Sequence, residues 1–201
     1  MPWSNPGAGN AYLAKMAASV AANIVGVLLY DLLWYQSGIA VTTLTAQTIN
    51  SVAWPARSAD GTVNGEGILL GIHCQTATTN AAAIANTTVG YTNQAGTAGR
   101  SAGLVQSWPA TAVAGTFVLC GLQGSDSGVR SVQTVTLGTS YAGGVISLFA
   151  VRPILYVPMV SATSGMLLDW AQCGFPQLHN DSCLYLAVML SSTAAGITNG
   201  E

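Results

Sequence analysis

The chain has 201 residues, 50% of them hydrophobic and only 6% charged, with a net charge of −2. Soluble domains carry about 25% charged residues, so this composition favours a surface largely covered by partner subunits over a free surface of Ser, Thr and Asn. The five basic residues, Lys15, Arg57, Arg100, Arg130 and Arg152, are scattered along the chain, which disfavours a nucleic-acid partner, whose phosphates need a clustered basic face.

In chain order, residues 1–9 (MPWSNPGAG) read as an irregular arm, with no basic stretch of the kind that opens a secretory signal. Asn10 is placed to cap a helix over 11–34, in which Leu13, Met16, Val20, Ile24 and Val27 fall at three- and four-residue steps. Alanines cover its other faces, so the helix is expected to lie against protein, either a neighbouring subunit or its own core. Its uncharged run, Met16 to Tyr30, is fifteen residues long. That is short of the roughly 20 a membrane span requires.

From residue 37 onward the vocabulary is that of β-structure. Residues 39–49 read as a strand pair or one bent strand, and 54–67 as turns. Strands follow at 68–74, 88–92, 103–107, 116–122, 129–137, 145–151, 155–160 and 183–190. Residues 75–87 read as loop or weak helix, and 93–100 as a hairpin-type loop. The runs 129–137 and 145–151, joined by a Gly-rich connection, read as an antiparallel pair. The second of them, like 183–190, is apolar on both parities and so expected to be covered on both faces. The pattern predicts a mainly β protein, a single antiparallel β-sandwich of jelly-roll or Greek-key type over 37–201, preceded by an anchoring arm and helix over 1–36.

No constellation carries chemistry. Ser125-Asp126-Ser127-Gly128 and His73-Cys74 share letters with chymotrypsin-like proteases. However, Ser125 and Val129 stand where that loop needs glycine, and a triad is recognised by geometry rather than fragments. Asp60, Asn64 and Glu66 lie in a turn that partly matches a calcium loop, but Gly71 occupies the position of its bidentate Glu. Cys74, Cys120, Cys173 and Cys183 lack a CxxC pair and read as free buried thiols. Four or more of the tryptophans read as packing residues. If a sugar platform exists, Trp54, Trp108 and Tyr91, near Asp60 and Glu66, are its candidates. The reading is of a non-enzyme with no cofactor and no metal.

Four segments, LYDLLWYQSG (29–38), TAQTINSVAWPARSADGTVNGEG (45–67), YTNQAGTAGR (91–100) and GVRSVQTVTL (128–137), occur in this order. Together they resemble a family of tailed-bacteriophage virion proteins, the resemblance running from about residue 29 to 190. It implies a non-enzymatic structural component of the head or neck. The expectation is a capsid decoration or cement protein, assembled in the host cytoplasm, that oligomerises on the shell as a homo-oligomer, taken as a trimer. Its partners would be the major capsid protein or neighbouring virion proteins. The helix stripe (Leu13, Met16, Val20, Ile24, Val27) and Arg57, Arg100, Arg130 and Arg152 are the candidate interface, the arginines paired with carboxylates. The alternatives are a neck, collar or tail component, or a glycan-binding β-sandwich.

Overall fold

The structure is a computed structural model that describes residues 5–19, 24–159 and 165–190. Its elements are β1 (Ala11–Tyr12), β2 (Met16–Ser19), β3 (Ile24–Gln36), β4 (Gln47–Thr48), β5 (Leu69–Thr76), β6 (Thr88–Asn93), β7 (Arg100–Leu104), β8 (Phe117–Gly121), β9 (Val129–Thr136), β10 (Val145–Pro158), β11 (Gly165–Leu168), the one-turn helix α1 (Trp170–Cys173), β12 (Gln177–Leu178) and β13 (Leu184–Leu190). The protein is mainly β and its strand pairs are antiparallel, as its composition of β-branched runs and Gly-rich turns predicts. The chain forms two compact units, 33–152 and the discontinuous 1–32 with 153–201. The expected boundary had been at 36/37.

In the unit 33–152 the strands run in the order β10-β5-β8-β7-β6-β9-β4. Alternation puts Leu70, Ile72 and Cys74 of β5 and Ile146, Leu148 and Ala150 of β10 on one face, in register Leu70↔Ala150, Ile72↔Leu148 and Cys74↔Ile146. These share one core with Val89 and Tyr91 of β6, Ala102 of β7 and Val118 of β8. The two halves of the sheet order thus face a common interior, in the manner of a sandwich. β10 is covered on both faces over Ile146–Val151, as its apolar run requires.

On β9 the inward residues are Val129, Val132 and Val135, three apart rather than two. The register with β6 shifts twice, pairing Gly90↔Thr134, Tyr91↔Val132, Thr92↔Ser131 and Asn93↔Val129. Two bulges, at Gln133 and Arg130, therefore reset the alternation and keep all three valines on the core.

Several expectations are corrected. β9 and β10 both form but do not pair with one another; β9 lies between β6 and β4, and β10 pairs with β5. Within 39–49 only β4 is strand, because the Gln47 side chain bonds back to the Ala40 and Thr43 backbone and closes that segment into a turn. The separate strand expected at 155–160 is the continuation of β10 through Pro153.

The described residues of 11–34 form no helix; β1, β2 and β3 occupy its place. From 24 to 34 nearly every residue is apolar, so the sequence satisfies a helical period and a strand period alike. Tertiary pairing then decides, as it does whenever propensity is ambiguous. β3 takes β13 as a partner in the register Leu29↔Leu186 and Tyr30↔Tyr185. Buried Asp31 fixes that pairing by accepting hydrogen bonds from Ser182 Oγ and the Cys183 N–H, both at 2.9 Å.

Among its described residues the unit 1–32/153–201 has two small cores. One joins Val157, Met159, Leu168 and Cys173 to Ile24 and Val27; the other joins Leu29, Leu178 and Leu184 to Leu13 and Met16. Gly26 lies directly under the Tyr156 ring, whose hydroxyl donates to the Val25 carbonyl at 3.1 Å. The glycine inside β3 thus makes room for an aromatic side chain laid across the strand. Among the described residues no helix is long and apolar enough to cross a membrane.

Candidate functional site

The polar side chains gather in a closed cluster at one end of the β6–β7 hairpin. Register places Arg100 directly across from Tyr91, and the turn after β8 brings Asp126 over both. The Asp126 carboxylate accepts from Arg100 Nε at 2.8 Å and from its terminal nitrogen at 3.2 Å, from the Tyr91 hydroxyl at 2.7 Å and from Asn93 Nδ2 at 2.7 Å. The Arg100 guanidinium, followed by the Tyr91 hydroxyl, holds the Asp126 carboxyl down at about 2. Every oxygen lone pair that could take a proton in catalysis is already engaged, so the cluster is a clamp joining the hairpin to the β8–β9 connection.

The sign of its pH dependence follows. A carboxyl whose folded value lies below the ordinary value of about 3.9 stabilises the fold above that ordinary value, and the contribution disappears as pH falls through about 2. The unfolding free energy of the wild type should therefore drop more steeply between about pH 5 and pH 2 than that of Asp126→Asn, measured by urea titration at each pH. Parallel pH profiles would contradict the clamp.

The other sequence candidates are likewise committed. Asp60 Oδ1 accepts from the Thr62 N–H and hydroxyl, an Asx turn, while Glu66 accepts from Ser127 Oγ at 2.8 Å. Among the described residues no group of three His, Cys, Asp or Glu side chains is placed to hold a metal ion. Ser127 is thus paired with Glu66, and His73 instead meets the Tyr35 hydroxyl at 3.2 Å. Burial pushes the His73 imidazole down. Cys74, Cys120 and Cys173 are buried free thiols, and burial raises Cys120 to about 12; Cys183 is exposed, against expectation, because it precedes the outermost strand of its sheet.

Of the expected interface residues, Leu13, Met16, Ile24 and Val27 pack in the cores of their own unit rather than forming an external stripe, and Val20 lies outside the described residues. Arg57 and Arg152 are buried in the folded chain. Arg100 pairs with Asp126, as its expected carboxylate partnership requires. Arg130 sits exposed at its bulge and has no carboxylate partner among the described residues.

Trp54, Trp108 and Tyr91 are all fully buried, so none is a sugar platform. The exposed aromatics are elsewhere. Trp170, 60% exposed, stacks on exposed Phe175 with ring centroids 5.8 Å apart and an interplanar angle of 23°. A capping box on Asp169 and Gln172 holds α1 beneath them, Gly174 closes it, and Phe175 sits at φ +48°, left-handed and strained for a side-chain-bearing residue. The Asp-x-x-Gln signature and the Gly that follows were the available sequence signals for this turn. Tyr12, Tyr156, Leu167, Tyr185, Leu186 and Met189 are also exposed, all in the unit 1–32/153–201. The run 183–190 is consequently not covered on both faces by the described residues.

The fold is thus that of a mainly β, sandwich-type protein with a closed polar clamp, and its exposed aromatic side chains lie mostly on the unit 1–32/153–201. Comparison with protein-family models, with curated proteins and with solved structures finds no match.

Proposed function

We propose that the chain is a non-enzymatic structural protein of a tailed-bacteriophage particle, a decoration or cement protein that assembles on the head shell as a homo-oligomer. The observation that carries this is the apolar exposure of the unit 1–32/153–201, including Tyr156, Trp170 and Tyr185, in a chain with so little charge. Such side chains gain by burial against neighbours, at about 25 cal/mol per Å², and large exposed apolar surfaces mark interaction sites. The ordered resemblance described above supplies the partner: the major capsid protein or an adjacent virion protein.

The test is the stoichiometry and position of the protein in purified particles. Hundreds of copies over the head support decoration, a dozen or so at one vertex reassigns it to the neck or collar, and absence from particles overturns the reading. Arg130, exposed and without a carboxylate partner among the described residues, is expected to meet one across an interface. Arg130→Ala should weaken retention on particles by about tenfold, the equivalent of 1.4 kcal/mol. Unchanged retention would remove Arg130 from the interface.

The Trp170–Phe175 stack favours one second reading, a glycan-binding module in which this pair replaces the buried Trp54, Trp108 and Tyr91 as the platform. Retention on a glycan array that is lost in Trp170→Ala would support it.

A further inference from the structure

We infer that the outer edge of β13 is a self-association edge, occupied by β13 of a second copy of this chain running antiparallel across a two-fold axis. β13 pairs with β3 along one side, and among the described residues no strand lies on its other side. The Leu32 N–H donates to the Cys183 carbonyl at 2.8 Å, one step before the pair Leu184↔Asp31. In an antiparallel ladder the inward and outward backbone groups alternate. Tyr185, Ala187 and Met189 therefore direct theirs at β3, and Leu186 and Val188 direct theirs away, with no backbone partner among the described residues.

Natural sheets blunt such edges with charge, proline, bulges or very short strands. The edge strand of the 33–152 unit, β4, is two residues long. β13 uses few of these devices: LYLAVML contains no charge, no proline and no glycine, its one register irregularity falls at its very end, and Tyr185, Leu186 and Met189 stand exposed along it. A bare edge of this kind templates pairing with another chain.

The occupant follows from complementarity. Outward N–H and C=O groups on an extended backbone are satisfied by another extended backbone. Residues 182–190 are uncharged, so they select an uncharged, apolar strand over a charged peptide. β13 is itself such a strand, and pairing it with its own copy about a two-fold needs no second surface. With the axis at Ala187, Leu186 of each copy lies opposite Val188 of the other, and these four residues bond. The inference does not depend on the virion reading, since it requires only two copies of this chain.

Val188→Pro tests it, because the N–H removed points away from β3 and the internal pairing is left intact. Leu186→Lys, which charges the edge, is the second variant and carries the test if the proline variant fails to fold. Analytical ultracentrifugation at micromolar concentration should find the wild type dimeric or in an even-numbered assembly. Each variant should weaken that association about 100-fold, with circular dichroism and melting unchanged. A monomeric or odd-numbered wild type, or folded variants that associate as the wild type does, would overturn the inference. Particle stoichiometry is a separate measurement, so failure here and failure of the decoration reading are distinguishable.

Discussion

Replacing Gly65 by alanine is expected to destabilise the 33–152 unit by about 4 kcal/mol, in the exceptional range for a single substitution. The loop preceding β5 crosses the start of β9 at backbone contact. Gly65 has φ +83°, and a Cβ there would overlap the Val129 carbonyl, while one on Gly128 would overlap the Gly65 carbonyl. The crossing is stitched by the Gly67 N–H to Ser127 carbonyl bond at 3.0 Å, the Gly65 N–H to Ser58 Oγ bond at 2.9 Å and the Trp54 Nε1 to Val129 carbonyl bond at 2.6 Å. The neighbours are backbone, so nothing flexible can move aside. Gly99, also left-handed at φ +72° but with open space around it, is the control. Gly99→Ala should cost only about 1 kcal/mol, the conformational part alone. Chemical denaturation of both variants separates clash from conformation, and equal losses would show that Gly65 matters only for its φ.

Trp108→Ala is expected to cost a similar amount, about 4 kcal/mol, with loss of the cooperative melt as the alternative outcome of the same mechanism. Trp108 is fully buried, and its ring lies edge-on to Tyr141 with centroids 5.4 Å apart. Its indole N–H donates to Thr78 Oγ at 3.2 Å, and Thr78 in turn donates to Asn80 Oδ1 at 2.7 Å. Backbone bonds in both directions with Ile84, at 2.9 and 2.7 Å, tie the long 77–87 connection to the segment carrying the indole. Truncation therefore opens a cavity and removes the donor to the buried Thr78 hydroxyl, which keeps only its bond to Asn80, two penalties that add. Trp108→Phe should recover most of the packing but not the Thr78 bond, and so fall between the two. A Trp108→Phe variant no better than alanine would place the main effect in the hydrogen bond.

Much of the 33–152 unit was legible because its signals are local. β5, β6, β8 and β9 lie where Val, Ile and Thr runs meet turn residues, and NQAGTAGR closes the β6–β7 hairpin. What was not legible depended on pairing. β9 and β10 are neighbours in sequence but not in the sheet, and no residue in the intervening Gly-rich segment records that. The Asp126 clamp draws Tyr91, Asn93, Arg100 and Asp126 from three segments, and becomes visible only once Tyr91 and Arg100 are known to face each other. The stretch 11–34 failed for a different reason. Where almost every side chain is apolar, as in 24–34, hydrophobic periodicity carries no information, and the helical stripe drawn through Leu13, Met16, Ile24 and Val27 was one of several equally good patterns. The exposure of Trp170 was hidden in the same way, since a sequence lists a residue's chain neighbours and not what lies above its ring.

The discontinuity of one unit has a consequence for synthesis. Residues 33–152 emerge from the ribosome as an unbroken stretch with all the strands of their core, while residues 1–32 must wait for 153–201 before β1 finds β12 and β3 finds β13. Pairing Ala11 with Leu178 closes nearly the whole chain into a loop, and such distant contacts form late. During translation the apolar strands β1 and β3 are therefore without these partners until residues 177–190 appear. The order of events is fixed by topology: the contiguous unit 33–152 folds first, and the discontinuous unit completes only after residues 184–190 have emerged.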